Sequence, residues 1–191
     1  GARREPQRIR LREAGVGVAD ASFAAHDLDH RVAPLDGAVG IAPRLGALEE
    51  ALLAAYRKIH LFDVNLPGKV RYEESRWLQP GVDIVTRQTP LAHIGQSICY
   101  DLRFPELFRS MSRAGMEVLL LPAAFTHATG QAHWEVLLRA RAIENQVFLI
   151  APNQCGHHPG DLHTFGHSAI IDPWGEVLAM LGEEEGFAVA E

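Results

Sequence analysis

Cysteine is scarce: 191 residues hold only Cys99 and Cys155. Two are too few for a disulfide framework. Cys99 closes an apolar run and Cys155 sits in a Gly/His loop, so a reduced, cytoplasmic setting is expected. Positive charge is not in excess either. The net charge of -6 argues against a nucleic-acid partner. No apolar run approaches the roughly 20 residues that cross a membrane. The longest, residues 118–125 and 147–152, are strand-length. Residues 1–12 are basic but lack the apolar core of a signal peptide. The chain opens with Gly rather than Met, and a fragment is expected. There is no internal repeat and no low-complexity tract. What remains is 47% apolar and 22% charged residues, as in an ordinary globular domain with a sizeable core.

The pattern is clear from Lys58 onward. Residues 92–98 read as a buried strand. Residues 105–114 read as a helix, with Pro105 in the first turn, where its missing N–H costs nothing, and Gly115 as the stop. Residues 118–121 form a second strand, ended by Pro122. Residues 132–145 form a helix with Trp134, Leu137, Leu138 and Ala142 on one side. Residues 147–151 form a third strand. Residues 167–172 and 176–180 are two strands joined by Asp172-Pro173-Trp174-Gly175, a turn with Pro early and Gly late. Strands alternating with helices and ending in a hairpin predict an α/β domain with a mixed sheet. Residues 1–57 differ, being rich in Ala, Arg, Gly and Pro. Within them only residues 45–56 read as a helix, from Leu45, Leu48, Leu52 and Tyr56.

Two clusters carry chemistry. Cys99 lies between a buried strand and a helix. Helix N–H groups and the positive end of the dipole there are expected to lower its pKa. The backbone N–H of Tyr100 can point at a developing oxyanion. Inert burial is, however, the commoner fate of a free cysteine. The second cluster is Tyr56-Arg57-Lys58-Ile59-His60-Leu61-Phe62. If that segment is extended, Lys58 and His60 share one side. The Lys58 ammonium then either snorkels to solvent or holds a thiolate ionised. Glu73 and Glu74 either anchor Lys58 or form a solvated acidic pair; sequence spacing does not choose.

Taken together, the lysine segment, Glu74-Ser75 and Ile98-Cys99-Tyr100-Asp101-Leu102-Arg103-Phe104-Pro105-Glu106-Leu107 resemble the signature blocks of the nitrilase superfamily of carbon–nitrogen hydrolases. The stretch from His133-Trp134-Glu135 to Ile143-Glu144, then Gly166-His167-Ser168 and Pro173-Trp174-Gly175, extends the match. The resemblance runs from about Tyr56 to Phe187 and is nearest to the omega-amidase and deaminated glutathione amidase branch. It implies an α-β-β-α sandwich with mixed sheets, pairing as homodimers and needing no metal or organic cofactor. It also implies a Glu–Lys–Cys triad aided by a second glutamate. Cys99 matches the nucleophile, Lys58 the triad lysine and Glu74 the second glutamate, while Tyr100 lends its N–H. Phe125 and Thr126 fall where the family lines its substrate pocket, and Glu135 borders it. The implied reaction is hydrolysis of a small omega-amide through a thioester on Cys99, releasing ammonia and an acid.

The family's first glutamate, its general base, should follow an early apolar strand. Glu5, Glu13, Glu49 and Glu50 do not, so none is assigned that role. The expectation is a chain truncated at both ends, with a non-matching segment at 1–55, disordered or foreign, and a partial hydrolase domain at 56–191. Two rivals stand beside this reading. One is a zinc enzyme: His133-Trp134-Glu135 mimics a deaminase motif, but the paired cysteines are missing. The other is an inactive relative serving as a binding module, in which Glu135, Arg139 and Arg141 are simple helix-face ion pairs. Rapid alkylation of Cys99 at neutral pH is expected to mark a surviving site. The break near Tyr56 predicts that residues 1 to about 50 arose by a frameshift or misassembly. Translating the coding DNA in its other two frames checks this: a family-like strand bearing a glutamate is expected, and its absence from both counts against a frameshift.

Overall fold

The computed structural model describes residues 38–41, 53–66, 70–159 and 162–191. Strand β1 (Ala38–Ile41) pairs antiparallel with β2 (Ala54–Arg57), and β3 (Asp63–Leu66) with β4 (Val70–Glu73). The chain continues through β5 (Thr86–Gln88), β6 (His93–Gln96), helix α1 (Pro105–Arg113), β7 (Val118–Leu120), helix α2 (His127–Asn145) and β8 (Phe148–Ala151). A hairpin of β9 (Cys155–His158) and β10 (Leu162–Phe165) follows, then β11 (Ala169–Ile171) and β12 (Val177–Met180). Six strands form one sheet in the order β12-β11-β8-β7-β6-β5. Its centre, β6-β7-β8, is parallel, and its flanks are antiparallel. The mixed α/β class expected from the alternation is therefore the one observed.

Strand periodicity of two explains how the sheet is packed. Leu119, Leu149, Ala151 and Ile171 point to one face and meet Phe108 and Met111 of α1 and Trp134, Leu138 and Ala142 of α2. Val118, Leu120, Phe148 and Ile150 alternate to the other face, where they join Ala92 and Ile94. Pro105 opens α1 as expected, and Gly115, at φ +91°, adopts the left-handed backbone that ends it. The turn at 172–175 closes by a hydrogen bond from Gly175 N to Asp172 O. The Asp172 carboxylate also accepts from the backbone N–H of Trp174 and of Glu176.

Two expectations require correction. The helix read at 45–56 does not extend to its end: Ala54–Arg57 is strand β2, while residues 42–52 lie outside the described ones. Tyr56 is held by a long-range hydrogen bond to Asp101, and such tertiary contacts override local propensity. Helix α2 begins at His127 rather than at 132. Its first turns, His-Ala-Thr-Gly-Gln, lack an apolar stripe that a 3.6-residue period could reveal.

Leu138 is fully buried between sheet and helix. Its replacement by Ala should cost about 2–5 kcal/mol in urea unfolding. Val136→Ala, on the exposed side of the same helix, should stay within about 0.5 kcal/mol.

Candidate active site

The carboxyl ends of parallel strands leave a row of backbone groups facing a crevice, where α/β sheets place their sites. Here the ladder runs on past the regular strands. Ser97 N donates to Leu120 O, Cys99 N to Pro122 O, and Ala123 N to Pro152 O. Cys99 thus remains tied to the sheet as the chain turns. Its φ of +47° is left-handed, an uncommon conformation for a residue with a Cβ, and such positions concentrate at functional sites. A 3-10 stretch, Cys99–Arg103, follows before α1 begins.

Asp101, fully buried in that stretch, organises the turn. Its carboxylate accepts from the Ile98 N–H at 2.9 Å, the Tyr56 hydroxyl at 2.8 Å, the His60 N–H at 3.0 Å and His60 Nδ1 at 2.8 Å. A carboxylate offers only acceptors, so the His60 ring carries its proton on Nδ1. The ring also stacks on Phe104 at 3.7 Å. Burial and the neighbouring Asp101 raise the Tyr56 pKa, which keeps its hydroxyl a donor.

Lys58 is buried, and its Nζ lies 2.6 Å from Glu74 Oε2. That oxygen also accepts the Phe62 N–H at 2.6 Å. Glu73 instead pairs with Arg71 and Arg76 at the surface. Of the two adjacent acids, the geometry therefore gives Glu74 to Lys58. The condition under which Lys58 and His60 would share one side, an extended segment, does not hold. The chain bends at residues 59–60, sending Lys58 to Glu74 and His60 to Asp101.

Cys99 is half-buried and unpaired in a disulfide. Burial pushes its thiol upward, Lys58 and the backbone N–H of Ala124 pull it down, and Glu74 and Asp101 push it up. The net direction is up, opposite to the sequence expectation. A short 3-10 stretch replaces the α-helical N-terminus that was to point its dipole at the sulfur, so loss of water outweighs the neighbouring charge.

The remaining residues named from sequence are spread around this turn. The Tyr100 ring meets Phe62 and Phe104 edge-on. Phe125 is buried against Trp134, with the Arg103 guanidinium 5.3 Å from its ring centre. Thr126 precedes α2, and its Oγ1 lies 2.7 Å from Thr129 Oγ1. Glu135 is exposed and pairs with Arg139. His133 is likewise exposed and contacts Arg103. Arg141 does make a helix-face ion pair, with Glu144 at 2.7 Å, but it is buried and does more: its Nε and Nη2 both donate to Leu102 O, pinning the Cys99–Arg103 turn to α2. Asp101 and Asn153 carry no role in the sequence reading, and the links of His60 to Asp101 and of Arg141 to Leu102 O are absent from it. Asn153 is buried, accepts the Phe125 N–H and donates to Gly166 O. For Asp101 a signal existed, a lone acid two residues after the cysteine in an otherwise apolar and aromatic run.

The folded state holds the Cys99 proton more tightly than the unfolded chain. This group therefore stabilises the fold below its unfolded-state pKa, and the contribution is lost as pH rises through the folded value. Alkylation by iodoacetamide should accordingly be slow at neutral pH, so the rapid reaction expected from the sequence to mark a surviving site is replaced as the criterion by a rate that climbs about tenfold per pH unit toward the midpoint. Lys58→Met should move that midpoint further up. A wild-type rate already at its plateau at neutral pH contradicts this, as does an unmoved midpoint in the variant.

A model of the carbon-nitrogen hydrolase family matches residues 45–191, starting upstream of the boundary drawn at 56. A deaminated glutathione amidase from Synechocystis sp. is 53% identical over 141 residues, covering 73% of this chain and 52% of the relative. An omega-amidase from Homo sapiens is 44% identical over 140 residues, covering 73% and 51%. The chain spans about half the length of these curated relatives. A solved amidase from Nesterenkonia sp., of the nitrilase superfamily, superposes with a TM-score of 0.62 at 30% identity, covering 78% of this chain and 53% of that one. It carries the acetamide moiety of fluoroacetamide covalently at its active-site cysteine. On the extent of the family match and the identity of these relatives, this chain belongs to the carbon–nitrogen hydrolase family.

Proposed function

We propose that the protein hydrolyses the terminal amide of a small omega-amide through a thioester on Cys99. The observation that carries this reading is the juxtaposition of a strand-end cysteine under the charge of Lys58 with the Lys58–Glu74 pair at 2.6 Å. The amide class follows from the relatives, an omega-amidase and a deaminated glutathione amidase.

Cys99 sulfur attacks the amide carbon, and the Tyr100 N–H and the Lys58 ammonium stabilise the oxyanion. The C–N bond breaks and nitrogen leaves as ammonia, taking up the thiol proton. Water then attacks the thioester, releases the carboxylic acid and returns the proton to sulfur. Glu74 holds Lys58 against the site. Deacylation also calls for a carboxylate base, a role that general base catalysis makes worth about 10²–10⁴-fold. Phe125, Thr126 and Glu135 are proposed to border the substrate. As in the implied family assembly, the protein is proposed to act as a homodimer. Among the described residues, no helix is long and apolar enough to cross a membrane.

Ammonia release from omega-amides by the purified chain, compared with Cys99→Ala, tests the reading. Release that vanishes in the variant is the expected result, and Lys58→Met should lose about 10²–10³-fold. Equal background from wild type and Cys99→Ala would instead favour the binding-module alternative.

A further inference from the structure

A second cluster of chemistry-bearing side chains lies outside the proposed reaction. His127 opens α2, His163 lies on β10, and Glu183 follows β12. One ligating atom from each falls within 4.8 Å of the other two. His127 Nε2 stands 3.2 Å from Glu183 Oε1. The His127 and His163 rings stack at 4.2 Å, and His157, the cross-strand partner of His163, stacks on the His163 ring at 4.1 Å.

The backbone holds these side chains together. Each lies one residue from a long-range pairing. Thr126 and Thr164 form an antiparallel bridge, which sets His127 beside His163. His167 N donates to Gly182 O, which fixes the position before Glu183. Gly166, at φ +68°, lets that segment close: a Cβ there would stand 3.2 Å from the Glu183 Cα and 2.8 Å from Gly182 O. Gly130 does the same for α2, since a Cβ would collide with the ring of Phe165.

The geometry points to a site for one first-row divalent transition ion of the zinc class, held by His127, His163 and Glu183. Two imidazoles and one carboxylate, with a fourth position left for water, form a donor set that zinc accepts. Magnesium and calcium prefer all-oxygen shells. Metal–ligand bonds of about 2.0–2.2 Å require the stacked His127 and His163 rings to tilt together at their nitrogen edges and exposed Glu183 to rotate in. The bound ion would clasp the β9–β10 hairpin and the segment after β12 to the first turn of α2. The zinc reading weighed from the sequence centres on His133-Trp134-Glu135 and not on this cluster, because these ligands come from three distant elements and follow no ligand-spacing motif. This inference does not rest on the proposed amidase reaction.

Equilibrium dialysis of the full chain against zinc, with metal quantified by atomic spectroscopy, tests the site. One equivalent per chain is expected, together with a rise in the thermal midpoint. His163→Ala and Glu183→Gln should each weaken binding by more than the about 10–100-fold that loss of an outer-shell partner costs. His157→Ala should retain the ion. Glu183 is exposed, so Glu183→Gln keeps the test sound if His163→Ala fails to fold. Wild-type binding no stronger than that of Glu183→Gln overturns the site. So does an equivalent that survives both ligand variants and disappears with His157→Ala.

Discussion

The buried carboxylate of Asp101 is the constraint on which the site depends. A carboxylate away from water is costly unless its lone pairs are filled. Asp101 fills them with donors from its own turn and from a distant segment: Ile98 beside Cys99, and Tyr56 and His60 on either side of Lys58. One desolvated charge therefore joins the cysteine turn to the lysine segment. Removing any one of these donors leaves the others to satisfy a buried anion, so the network is held as a unit. Arg141 secures the same turn from the helix side through Leu102 O. Turn, lysine segment and α2 are thereby fixed in one arrangement.

Within that frame, Glu74 acts in two opposing ways. It holds Lys58 by a short charge-assisted hydrogen bond, which places the ammonium where it can lower the Cys99 pKa. Its own negative charge raises the same pKa. Burial of the sulfur outweighs the pair, largely neutral as a unit, and holds the thiol above its ordinary range. In the proposed reaction an oxyanion would change that balance: it carries the negative charge that the resting thiol lacks, and the buried Lys58 is already oriented toward it.

How much of this was legible depends on the range of the interaction. The helix over 105–113 and the strands over 93–96, 118–120, 148–151, 169–171 and 177–180 could be read because their apolar periods and their Pro or Gly stops are local. The pairing of Glu74 rather than Glu73 with Lys58 rested on family resemblance alone, since both acids are equally spaced for it. The direction of the Cys99 pKa was misread because burial depends on the whole fold, whereas the adjacent helix is visible in the sequence. The burial of Asp101 and Arg141 is hidden from the sequence for a related reason. Charged residues in such contexts usually reach solvent, and only the packing of α2 and the lysine segment over the turn encloses these two. Tyr56 was read as helical because it continues a leucine spacing, while its fixed position comes from an acid 45 residues away.

Residues 123–127 show why a well-bonded seam can look like a loop. Ala123 bridges to Asn153 in the parallel sense. The N–H of Ala124 reaches Cys99. Phe125 donates its N–H to the Asn153 side chain and accepts from Phe165 N. Thr126 bridges to Thr164 in the antiparallel sense, and His127 opens α2. The partner thus changes at nearly every residue, from strand end to thiol to amide side chain to hairpin, and no periodic signal survives. Yet the segment is well bonded, and a displacement of the β9–β10 hairpin would reach Phe125 and Thr126 directly and the Ala124 N–H one residue further on. The cysteine turn and the histidine cluster are separate in chemistry but share this backbone, so order at one end of the seam constrains the other.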